Sequence, residues 1–138
     1  VGSGGGLPGI VLAICKPELQ VTTIDTVQKK VIFMRQVKGE LGLDNLSAVH
    51  ARVENFQPSE PFGLVISRAF SEIALFILLT KHLIAENGHW LAMKGVMPSG
   101  ELDNLSVQPE NIIPLKVAGL NAERHLVVFK NKPNNVGL

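Results

Sequence analysis

The sequence predicts an α/β fold in which a mostly parallel sheet, flanked by helices, closes with an antiparallel pair of strands. Three observations carry this. Short β-branched runs alternate with helical patterns from residue 7 to residue 93, and such alternation builds parallel βαβ units. A glycine loop, Val1-Gly2-Ser3-Gly4-Gly5-Gly6-Leu7-Pro8-Gly9-Ile10, runs into an apolar helix. The last two strand-like runs lie close together with no helical stretch between them, which suits an antiparallel hairpin at a sheet edge.

Leu7 to Cys15 reads as a short apolar helix. Pro8 is tolerated in its first turn, where backbone N–H groups have no intrahelical acceptor to lose, and Pro17 stops it. Val21-Thr22-Thr23-Ile24-Asp25 is a β-branched strand ending in an acid. From Val27 to Leu41, apolar residues at 27, 31, 34, 37 and 41 form a helical stripe, and Gly42 ends it. Leu46 to His50 is the next strand, followed by Ala51-Arg52-Val53-Glu54-Asn55-Phe56. Pro58 to Pro61 is a turn, and Phe62 to Ser67 a buried strand. Phe70 to Ala85 reads as a helix closed by Asn87-Gly88. His89 to Met93 is a strand and Pro98 to Leu105 a short helix. Ile112 to Val117 and Leu126 to Lys130 are the final strands. No internal repeat or linker interrupts the pattern, so one domain is expected over residues 1–132, with 133–138 a loose tail.

Composition narrows the classes. At 138 residues the chain has the length of one domain, and it is 46% hydrophobic, enough for a core. A net charge of +1 neither demands nor excludes a polyanionic partner. No Tyr, one Trp and six Phe argue against an extended base-stacking surface. The single Cys15 excludes an internal disulfide and fits a reducing compartment, so a cytoplasmic location is expected. Cys15 itself is expected as a small buried core residue. The longest apolar run, Ile73 to Leu79, is far too short to span a bilayer. His50, His82, His89 and His125 share no metal-ligand spacing, and no metal is expected.

The glycine loop fits two ligand classes. Glycines let a ligand approach the backbone closely, and the start of the following helix favours an electronegative group. Gly4, Gly6 and Gly9 satisfy G-x-G-x-x-G, with Asp25 at the spacing of a ribose-binding acid, which is the dinucleotide pattern. Gly2, Gly4 and Gly6 equally satisfy G-x-G-x-G, a loop of S-adenosylmethionine enzymes. Asp25 does the same work in both, or is a plain strand-terminal helix cap. The rest of the chain separates them: nothing is spare to build a dehydrogenase's catalytic domain, and the closing strand pair is unlike a second mononucleotide-binding half.

Six segments in order resemble one bacterial family. They are Val1 to Ile10; Gln28-Lys29-Lys30 with Phe33 to Val37; His50 to Phe56; Val65-Ile66-Ser67-Arg68-Ala69-Phe70; Met93-Lys94-Gly95; and Glu123-Arg124-His125-Leu126. Over nearly the whole chain they are similar to the small-subunit ribosomal RNA methyltransferase G family, also called glucose-inhibited division protein B. The resemblance implies the class I methyltransferase fold, with a Rossmann-like sheet and an antiparallel C-terminal hairpin. It implies S-adenosylmethionine as cofactor and methyl transfer to N7 of one guanine in small-subunit ribosomal RNA, naked or within the assembled subunit. A monomer is expected.

Residue by residue, the resemblance implies that Gly2 and Leu7 bound the cofactor loop, with Ser3, Gly4 and Gly6 between them. Asp25 takes the ribose hydroxyls, while Val53 and Glu54 meet the adenine side. Arg68 closes the site after the fourth strand of the family's sheet, Lys94 faces the substrate, and Arg124 and His125 touch RNA phosphate. Two departures stand out. Gly63 occupies a place where the family usually carries an acid. An acid before Val1, a first strand and an N-terminal helical segment of the family are absent, so the sequence is expected to be an incomplete record of a longer protein. Strands that lose a central partner leave costly unpaired backbone, and residues 1–138 alone are expected to be poorly folded and inactive.

Guanine N7 has an exposed lone pair and no proton to lose, so its attack on a methyl group needs no general base. Catalysis is then mostly positioning, worth roughly 7–11 kcal/mol. Ser67-Arg68-Ala69-Phe70 stands where an exocyclic-amine enzyme would carry an Asn/Asp-Pro-Pro-aromatic motif. The planar fork of Arg68 suits a cofactor carboxylate or an RNA phosphate; the plainer alternative is a structural ion pair. Phe70 either stacks on the target base or joins the core. Glu54 either accepts from an adenine amino group or is a surface acid. Lys29, Lys30, Arg35 and Lys38 form a helical basic run, either a solvated face or an RNA contact. Two other functions stay open: a nicotinamide- or flavin-dinucleotide domain of an oxidoreductase, and a methyltransferase-like module that binds RNA without catalysis.

Overall fold

A computed structural model describes residues 1, 7–68, 72–95, 99–103 (of residue 99, the backbone), 105, 107–116, 118–119 and 122–133. The chain forms two compact units, residues 1–56 and 57–138. The architecture is the expected α/β one, with parallel strands joined by helices and an antiparallel closing pair.

The first unit is a βαβ motif preceded by a helix. Helix α1 (Gly9–Cys15) leads to β1 (Val21–Asp25), α2 (Gln28–Leu41) and β2 (Leu46–His50), then a single 3-10 turn, Val53–Asn55. β1 and β2 pair in parallel from Val21 opposite Leu46 to Asp25 opposite His50. Ile10 and Ala13 of α1, Val31 and Met34 of α2, Leu43 and Leu46 form one buried cluster. The apolar stripe of α2 is thus buried at its centre, while Val27 and Leu41 at its ends are exposed. Gly42 adopts a left-handed φ of 63°, which glycine reaches without a Cβ penalty, and terminates α2. Asn45 ties the end of α1 to the base of β2, its side-chain amide donating to the carbonyls of Ala13, Lys16 and Leu19 at 3.1, 3.3 and 2.9 Å.

The second unit holds β3 (Phe62–Arg68), α3 (Ile73–Thr80), a 3-10 turn (Lys81–Leu83), β4 (Ile84–Lys94), α4 (Ser99–Asp103), β5 (Asn111–Leu115) and β6 (Arg124–Lys130). The sheet order is β3-β4-β6-β5. β3 and β4 are parallel, and β6 lies between β4 and β5, antiparallel to both. Trp90, Phe76, Phe129, Ile73 and Val127 are fully buried.

Four expectations are corrected. The helix after β3 ends at Thr80 rather than Ala85. The Thr80 hydroxyl donates to the Phe76 carbonyl at 2.6 Å and accepts from the Trp90 indole N–H at 3.0 Å, which locks the turn where the chain leaves the helix. Asn87-Gly88 closes no helix. It sits inside β4, where the partner of Phe62 is Ile84 but that of Leu64 is His89, and Asn87 takes a left-handed φ of 62° to absorb the extra residues. β3 is only partly buried: Val65 and Ser67 face inward, while Gly63, Leu64 and Arg68 are exposed. Cys15, expected in the core, is exposed at the end of α1.

Candidate functional site

In the first unit the candidate residues gather at the carboxyl end of β1 and β2. Asp25 is the last residue of β1 and is 7% exposed. Its Oδ1 accepts a hydrogen bond of 2.8 Å from the Val27 N–H, so the strand-to-helix turn itself holds the carboxylate in place. Val1 lies close enough to Asp25 for the two charges to interact. The start of the glycine loop therefore stands beside the acid. Opposite Asp25, His50 places Nε2 3.0 Å from the Thr26 carbonyl oxygen.

α1 runs back from this end. Gly9, its first residue, packs so tightly on β1 that a Cβ there would run into the Thr23 methyl group. Leu7, just before the helix, is 46% exposed. Val53 is buried in the 3-10 turn that follows β2, and Glu54 beside it is partly exposed, with Oε1 3.4 Å from Arg52 Nε. Such an exposed pair contributes little stability and leaves Glu54 at the rim. Gly2, Ser3, Gly4 and Gly6 lie outside the described residues, as does Phe70.

In the second unit the structure brings Arg68, Lys94, Arg124 and His125 to one end of the sheet. Arg68 ends β3 and pairs with Met93 of β4, next to Lys94. Lys94 ends β4 and pairs with His125 of β6, next to Arg124. His125 Nδ1 lies 2.7 Å from the Gly95 carbonyl oxygen, and Arg124 Nη1 donates to the Glu123 carbonyl at 2.8 Å. Arg68 and Arg124 are exposed, and the Lys94 side chain is mostly buried. This is the carboxyl end of the parallel strands, where ligands of open α/β sheets bind.

Sequence reasoning missed two features. Glu101 of α4 reaches Lys94, with Oε2 3.5 Å from Nζ; a lone acid in a short helix carries no local signal for a contact with a strand end. In the basic run of α2, Arg35 donates from Nε and Nη2 to the Ala48 carbonyl at 3.2 and 3.0 Å, and Lys38 donates to the Leu46 carbonyl at 2.5 Å. Two of the four cations are thus bound to the backbone of β2, Arg35 at the exposed surface. Among the described residues, no group of three or more His, Cys, Asp or Glu side chains is placed to hold a metal. No described helix is long and apolar enough to cross a membrane.

The model of the family GidB, rRNA small subunit methyltransferase G, matches residues 1–127. The ribosomal RNA small subunit methyltransferase G of Methylobacillus flagellatus is 66% identical over 127 residues, which are 92% of this chain and 62% of that protein. The chain therefore spans less than two thirds of the length of this relative. An rRNA methylase from Streptococcus thermophilus superposes with a TM-score of 0.63 at 17% identity, over 94% of this chain and 82% of that one. The N-methyltransferase NodS of Bradyrhizobium japonicum, solved with S-adenosyl-l-homocysteine, superposes with a TM-score of 0.61 at 13% identity, over 89% and 72%. These likenesses show the fold, the Rossmann-like sheet of class I methyltransferases.

Proposed function

The chain belongs to the rRNA small subunit methyltransferase G family, and from that premise we propose that it transfers the methyl group of S-adenosylmethionine to N7 of a guanine in small-subunit ribosomal RNA. The observation that carries this reading is the gathering of Arg68, Lys94, Arg124 and His125 at the carboxyl end of β3 and β4. Cations at that end suit a phosphate backbone, whose contacts set the register of a bound nucleic acid. The acceptor is the small-subunit RNA or the subunit assembled on it, and the enzyme acts as a cytoplasmic monomer. Residues 1–132 serve as one methyltransferase domain and 133–138 as its tail.

The first unit fits the cofactor by its donor set. Asp25 is an acid fixed at a strand end beside the start of a glycine loop, the placement that suits a pair of ribose hydroxyls. Gly2, Ser3, Gly4, Gly6 and Leu7 form the loop around the methionine half. Val53 lays an apolar side chain against the adenine, and Glu54 accepts from its amino group. When bound, the cofactor supplies an electrophilic methyl group on a sulfonium. The protein's own work is to hold and orient. The Arg68 guanidinium offers a planar fork to a carboxylate or phosphate. Lys94, Arg124 and His125 fix the RNA. No side chain takes a proton, because N7 has none to give, and the advantage of roughly 7–11 kcal/mol comes from orientation.

The test is calorimetric titration of the chain, extended to the length of its relatives, against S-adenosylmethionine, its demethylated product and NAD. Binding of the first two without NAD is expected, followed by 7-methylguanosine in digests of treated small-subunit RNA. Binding of NAD alone would overturn the reading. RNA binding without cofactor affinity would point to a non-catalytic module.

A further inference from the structure

We propose that Glu101 is a positioning residue that fixes the Lys94 ammonium for RNA, an inference that rests on the role proposed for Lys94. The Glu101 carboxylate has two attachments. Oε2 lies 3.5 Å from Lys94 Nζ, with the two side chains only 19% and 13% exposed. Oε1 accepts a hydrogen bond from the N–H of Ile73, the first residue of α3 and fully buried. One side chain of α4 thereby joins the end of β4 to the start of α3.

Stability alone does not account for the pair. The α3 amide would be satisfied by any neutral acceptor, and a mostly buried ion pair roughly breaks even against an apolar replacement of the same volume. What the carboxylate adds is a fixed position for a cation on a long flexible stem. Lys94 stands opposite His125, whose own ring is held to the Gly95 carbonyl. With both neighbours anchored, the ammonium meets RNA in one place rather than over the sweep of a free lysine.

The test is a double-mutant cycle in the chain extended to the length of its relatives, with small-subunit RNA as substrate. Glu101→Gln keeps an oxygen for the Ile73 amide but removes the charge that holds Lys94. Its kcat is expected to fall by about tenfold to a hundredfold, the effect of a misplaced contact, with cofactor affinity and the KM for RNA near wild type. Lys94→Met is expected to raise the KM for RNA and lower kcat, and adding Glu101→Gln to it is expected to cost nothing more. If Glu101→Gln melts below the assay temperature, Glu101→Asp, which keeps the charge but falls short of Nζ, is expected to give the same pattern. An impaired Lys94→Met variant with an active Glu101→Gln partner, or with fully additive losses, would overturn the inference alone. A fully active Lys94→Met variant would overturn the role of Lys94 and the inference with it.

Discussion

Gly9 shows how one residue serves two patterns. It is the third glycine of G-x-G-x-x-G, a position whose role is close helix–strand packing, and here a Cβ would collide with the Thr23 methyl. That packing explains why the loop alone suited a dinucleotide as well as S-adenosylmethionine: the constraint belongs to α1 against β1, whichever ligand follows. Gly9→Ala should cost about 1–3 kcal/mol, the usual cost of overpacking, read as a lower melting temperature. Adding Thr23→Ala, which clears the space, should recover part of the loss. Arg68 is a proposed site residue of a different kind, exposed at the end of β3. Arg68→Ala should leave the melting temperature unchanged and reduce kcat/KM for RNA by about tenfold or more, as loss of a charged hydrogen bond does. Unchanged turnover would remove Arg68 from the machinery. At Gly63, where the resemblance implies an acid, a Cβ would meet no atom within 4 Å, so the space for a side chain is open.

At the scale of elements, the sequence made the first unit legible because its signals are local. β-branched residues mark β1, the stripe of Val31, Met34 and Val37 marks α2, and Gly42 marks its end. The second unit was less legible because its boundaries depend on partners far along the chain. The sequence reads as helical on to Ala85, and only the Trp90 indole, ten residues beyond Thr80, shows why the helix stops there. Trp90→Phe should lower stability by about 1–3 kcal/mol, since the Thr80 hydroxyl loses a buried donor. The backbone partners of the α2 cations were not legible for a similar reason. Arg35 and Lys38 bond to carbonyls of β2, and a cation that satisfies a strand's backbone also discourages pairing with another chain. Arg35→Ala with Lys38→Ala should destabilise the chain and promote self-association in sedimentation, whereas Lys29→Ala with Lys30→Ala should do neither.

Across the whole molecule, charge separates a site from a surface. The net charge is only +1, from 13 basic and 12 acidic residues, so no overall field would draw in RNA, and the proposed affinity must come from where cations are gathered. Arg68, Lys94 and Arg124 share one end of the sheet, whereas Arg35 and Lys38 are bound to backbone. Counterion release gives a log–log salt slope of about 0.7 per phosphate neutralised on single-stranded nucleic acid. Three cations, less the Glu101 charge that Lys94 already pairs with, therefore predict a slope of roughly −1.4 for binding an unpaired segment of small-subunit RNA. Arg124→Ala should flatten it by about 0.7 and weaken different RNA sequences alike, since a phosphate contact carries no base information. Lys29→Ala should leave it unchanged. A slope much steeper than this, flattened equally by Lys29→Ala, would mean that the α2 face docks RNA too and that the end of the sheet does not act alone.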